Sequence, residues 1–94
     1  MFVLLVGLKV KAGHEQALQK DYAGPFATAI SSQEGFRHVS LLLPNGDGDY
    51  VLTISFENKS LQEKWVACEL HGQVWSLMEG HLAEFTVNTY TRFD

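Results

Sequence analysis

The residues best suited to chemistry in this chain lie in one short segment, WVACELHGQVW, where His71 stands between Trp65 and Trp75. An imidazole titrates near neutral pH, so His71 is a candidate acid/base group. The two tryptophans beside it can wall a site for a flat ligand, or they can simply be core. The competing reading of His71 is a histidine at a helix edge, bonded to a backbone carbonyl. Helix geometry separates the two: along an unbroken helix, six residues turn His71 about 240° from Trp65, onto a different face. A glycine inside a helix costs about 1 kcal/mol relative to alanine, so Gly72 makes a break or bend plausible near Leu70 to Gly72. Such a break would let both rings point into one cavity.

The other candidates are more scattered. His38 falls in phase with Phe36, Ser40 and Leu42, which predicts an interior position, as a second acid/base group or as a hydrogen-bonded core histidine. Asn88 and Tyr90 share one face of a C-terminal strand with Thr86; they can bond a ligand oxygen or face water. His14 and His81 fall at the ends of elements and read as water-facing. No pair of histidines has helical i, i+4 or His-x-His spacing and no carboxylate cluster joins them, so no metal site is predicted. The run NGDGD lacks the later ligands and the closing glutamate of a calcium loop. There is no glycine-rich phosphate loop and no nucleophile elbow.

These residues must be positioned by a small set of elements. FVLLVGLKVK, residues 2–11, begins as an apolar run and ends in alternation, as a central strand does. Gly13 can cap a helix with Glu15 in its first turn. Ala17, Leu18, Tyr22, Phe26, Ala29 and Ile30 then form one buried stripe. Gly24-Pro25 predicts a kink or a brief break in that helix, or simple curvature. Residues 36–44 read as a strand closed by Pro44, NGDGD as a hairpin connection, and 50–57 as a strand with Tyr50, Leu52, Ile54 and Phe56 on one face. Ser60 and Glu63 have the spacing of a capping box that opens a second helix carrying Leu61, Trp65 and Cys68. Val74, Trp75 and Met78 extend a helical face to Glu79, and residues 83–93 form a last strand.

The order β-α-β-β-α-β, with right-handed crossovers, predicts an α+β, ferredoxin-like split βαβ sandwich: a four-stranded antiparallel sheet with its helices on one face. Ninety-four residues make this a single domain, 1–94. The opposite sheet face is left bare, carrying either Val3, Leu5 and Val51 or the alternate set with Leu4 and Leu52. An apolar face of that area predicts a homodimer packed face to face. Seven basic against eleven acidic residues, with no basic run, argue against nucleic-acid binding. The apolar start is too short for a membrane span or a secretory leader, and the lone Cys68 suits a reducing cytoplasm.

At this level the whole chain resembles the antibiotic biosynthesis monooxygenase (ABM) domain family. The resemblance rests on the apolar first strand running into VKAGHEQAL, on QEGF opening the second strand, on FENKSLQEKW, and on His71 six positions after Trp65. It implies a dimeric α+β barrel with a pocket in each subunit between sheet and helices. It further implies O₂-dependent oxidation of a phenolic or quinol-type aromatic without metal or flavin. In that reading His71 or His38 deprotonates a small aromatic ligand stacked near Trp65. The family's haem-degrading branch uses an Asn late in the first strand and a His ten residues after the Trp. Here those places hold Val6 or Gly7, and Trp75, so the resemblance does not extend to haem degradation. Because one fold hosts many sites, a non-catalytic binding module and a plain dimerisation domain stand as alternatives.

Overall fold

Strand β1 (Phe2–Val10) runs between β3 (Tyr50–Phe56) and β4 (Leu82–Thr91), with β2 (Phe36–Leu42) on the far side of β3. All three pairings are antiparallel and the order is β2-β3-β1-β4, the ferredoxin-like arrangement expected. The computed structural model describes all of residues 1–94.

Alternation along the strands decides which face meets the helices. Leu4, Val6 and Leu8 of β1 and Leu52, Ile54 and Phe56 of β3 are buried. Val3, Leu5 and Val51 therefore lie on the outer face, the first of the two sets anticipated. The helical layer returns Leu18, Phe26, Ile30, Trp65, Val74 and Met78 to the same core. No helix is long and apolar enough to cross a membrane.

The first helical stretch neither breaks nor merely curves at Gly24-Pro25. Helix α1 (Glu15–Asp21) passes into a π-helical turn, Tyr22–Phe26, and then into α2 (Ala27–Ser31). Proline lacks an N–H and its ring crowds the carbonyl four residues back; the wider turn makes room for both defects. The turn ends on Phe26, which is buried against the core. Gly13 adopts a positive φ just ahead of the helix, so the N-cap is His14, and the Glu15 carboxylate accepts from the Gly13 amide at 3.0 Å.

Two further expectations need correction. The capping box does not form: Asn58 is the N-cap of α3 (Lys59–Ala67), its side chain accepting from the Leu61 amide at 3.0 Å, and Ser60 lies inside the helix. The β-region conformation at Asn58 and its short carboxamide suit that place better. His14 and His81 do not simply face water. Their Nδ1 atoms are 3.1 Å apart, and His81 Nε2 lies 2.7 Å from Asp21 Oδ2. This chain joins both ends of α1 to the residue that leads into β4.

Candidate functional site

The helical break falls at Cys68 rather than near Gly72. Cys68 is extended (φ −82°, ψ 152°) and separates α3 from α4 (Glu69–Glu79), leaving Gly72 inside an ordinary helix. The consequence for the two rings is the one that a break allows. Trp65 and His71 meet edge to face, with centroids 5.0 Å apart and planes at 88°.

Both rings line a cavity of about 240 Å³ between the sheet and the helices. Its floor comes from Leu4 and Val6 of β1, Leu52 and Ile54 of β3, and Phe85 and Val87 of β4. Its roof comes from Phe26, from Gln62, Trp65 and Val66 of α3, and from His71 and Trp75 of α4. The aromatic groups form a linked wall. Phe26 meets both Trp65 and Trp75 edge-on with centroids 6.4 Å away, and Trp75 meets Phe85 at 5.1 Å. Edge-to-face contacts of this kind hold ring orientations firmly.

No carboxylate, lysine or arginine lines this cavity. Its polar groups are His71, Gln62 and the indole nitrogens. His71 forms no hydrogen bond within the chain, so the backbone-bonded alternative does not describe it. Burial pulls the pKa of His71 below its ordinary value, because the imidazolium loses water there. The shift favours the neutral ring, the form in which it can accept a proton.

Gln62 is the one polar residue buried in the molecule, at 8% exposure, and its carboxamide has no hydrogen-bond partner in the chain. No buried side-chain nitrogen or oxygen is sealed off without a partner, so the amide reaches open space. A polar amide at a core-facing helix position, with no partner in the chain, is a group that packing alone does not explain. The signal for it was available: Gln62 lies three residues before Trp65, on the buried stripe of the helix.

The remaining candidates are elsewhere. His38 is exposed on the outer face of the sheet. The register of β2 shifts between Phe36 and His38, where an extra residue bulges from the strand. After the bulge Val39 and Leu41 face the core, and His38, Ser40 and Leu42 point outward. Asn88 and Tyr90 pair with Leu5 and Val3, so they too stand on the outer face. Phe85 and Val87, not singled out from sequence, are the residues of β4 that reach the cavity. No three His, Cys, Asp or Glu side chains converge on a point able to hold a metal ion. A larger hollow of about 500 Å³ lies against the β2–β3 connection, lined by Lys9, Glu15, Asp47 and Asp49. It is shallow and exposed, and Tyr50 is its one aromatic residue.

An antiparallel sheet of this order with its helices on one face defines a ferredoxin-like α+β sandwich, here with an apolar cavity between the layers. The chain belongs to the antibiotic biosynthesis monooxygenase family, whose sequence profile matches residues 1–75. No curated protein sequence matches the chain at a significant level. Among solved structures it is similar to a Nitrosomonas europaea protein assigned to the same family, with 16% identity over all of both chains and a TM-score of 0.86. It is similar to SnoaB, a cofactor-independent oxygenase from Streptomyces nogalater, at 17% identity over 99% of this chain and 94% of that one (TM-score 0.82). It also matches a variant of MhuD holding two manganese protoporphyrin IX molecules per active site, at 21% identity over 99% and 95% (TM-score 0.77). At such identities these likenesses establish the fold and leave the substrate to the site itself.

Proposed function

We propose that this protein is a cofactor-independent monooxygenase acting on a small aromatic phenol or quinol. One observation carries the reading: an unpaired His71 held against Trp65 in an apolar cavity. A phenol entering the cavity loses its water, and a phenolate there needs a nearby group to receive the proton. His71 supplies it. Its depressed pKa trades some basicity for a larger share of unprotonated ring.

The balance closes without an external reductant. For a naphthol, ArOH with an unsubstituted para carbon plus O₂ gives the quinone plus water. The O=O, para C–H and O–H bonds break. The phenolic C–O becomes C=O, a new C=O forms at the para carbon, and both hydrogens leave in water. The substrate loses the four electrons that O₂ gains. One oxygen atom enters the ring and the other leaves as water. Trp65 and Trp75 hold the ring plane, and the apolar lining excludes water from the anion.

We further propose that the protein is a homodimer through the outer sheet face. Val3, Leu5 and Val51 lie there, and Leu42 and Tyr90 on the same face are each 52% exposed. These apolar side chains, interleaved with Ser40, Thr53 and Ser55, favour burial against a copy of the same face.

The reading is tested by following O₂ with an electrode in the presence of 1-naphthol. The native protein should consume O₂ and form a quinone, and His71→Ala should abolish both. A binding module of the same fold would hold the naphthol and consume nothing. The open cavity already speaks against a domain whose core is filled by its own side chains.

A further inference from the structure

The oxygenase reading uses one polar group of the cavity and leaves another without a role. Gln62 sits on the helical face that packs against the sheet, where Trp65 and Val66 are its neighbours one turn on. Consistent local choices would place an apolar residue there. Its carboxamide is unpartnered, is not sealed from open space, and belongs to a side chain more than nine-tenths buried in the cavity wall.

We infer that Gln62 is a ligand-binding residue whose amide N–H donates to a second oxygen of the substrate, so that the natural ligand is an uncharged aromatic of one or two fused rings carrying two oxygen functions. This rests on the oxygenase reading for His71 as the group that meets the first oxygen. The cavity volume, about 240 Å³, lies below the range of roughly 300–1,000 Å³ usual for drug-sized ligands, which limits the ring count. The absence of any lysine or arginine in the lining leaves a carboxylate or phosphate substituent nothing to pair with, and burying an unpaired charge is prohibitive. A carboxamide, by contrast, offers both donors and an acceptor to a neutral carbonyl or hydroxyl. A site that presents an unpaired amide in this way favours ligands that carry the matching oxygen, without excluding those that lack it.

The test is equilibrium dialysis of the full chain with 1,4-naphthoquinone, naphthalene and 1-naphthoate, using Gln62→Leu and the length-matched Gln62→Met, with thermal unfolding of each. The native protein should bind the quinone and reject the naphthoate. Either variant should bind the quinone about 3- to 10-fold more weakly, bind naphthalene no less tightly, and melt no lower than the native protein, since no hydrogen bond within the chain is lost. Unchanged quinone affinity in Gln62→Met overturns the inference, as does a lowered melting temperature or naphthoate binding equal to that of the quinone. Weakened quinone binding in the variants, together with no O₂ uptake by the native protein, supports this role of Gln62 and overturns the oxygenase reading alone.

Discussion

Trp65 and His71 face each other at 5.0 Å because the helix that would have carried them apart is interrupted at Cys68. Six residues of continuous helix would place them on different faces. One extended residue swings α4 into a new direction and brings the imidazole to the indole edge. The site is thus made by a backbone irregularity as much as by side-chain identity.

Gly72 therefore has no hinge role, and a β-carbon there would meet nothing within 4 Å. Gly72→Ala should raise stability by about 0.5–1 kcal/mol in a urea titration and leave turnover unchanged. A loss of activity without loss of stability would return the hinge to Gly72.

The pH dependence follows from the direction of the His71 shift. Its folded-state pKa lies below the unfolded value of about 6.5, so the unfolded chain binds the proton more readily. The contribution to stability is fully present above that value and is lost as pH falls through the folded pKa. Activity should follow the same course: flat at neutral pH, falling on the acid side of 6.5 as the base is protonated. Stability curves from pH 8 to 5 should be less steep in His71→Asn than in the native protein.

The His14–His81–Asp21 chain lies away from the cavity and ties α1 to β4. Asp21→Ala leaves the His81 Nε2 hydrogen unpaired in a half-buried position. It should cost about 1–2 kcal/mol in chemical denaturation while leaving the kcat/KM for a naphthol within a factor of about two, since no member of the chain lines the cavity. A kcat/KM lost out of proportion to stability would tie the chain to the site.

A homodimer should sediment at about twice 10.5 kDa at micromolar concentration. Val51→Lys, which puts a charge on the outer face beside Leu42, should yield folded monomers. A native monomer in that range would remove the dimer from the account.

Much of the architecture was legible because it follows from simple periods. The alternation in residues 50–57 and the apolar stripe from Leu18 to Ile30 report period two and period 3.6 directly. The site was less legible, for two physical reasons. A single bulged residue near Arg37 reverses the inside–outside phase of β2, and nothing in Phe36-Arg37-His38 announces it; that is why His38 reads as interior and lies on the outer face. The break at Cys68 uses neither Gly nor Pro, so intrinsic propensity points to Gly72 instead. Gln62 was visible, as a polar residue on a buried stripe, but its meaning depends on having no partner, which only the packed structure reveals.

The most direct test of the central claim is a stoichiometric oxidation of 1-naphthol under heavy-isotope O₂, comparing the native protein with His71→Ala. The account predicts one O₂ consumed per naphthol, one labelled atom in the quinone and one in water, and at least a 100-fold slower reaction in the variant, on the order of a general base's usual contribution. Equal rates in the two proteins, or a quinone whose new oxygen is unlabelled, would contradict it.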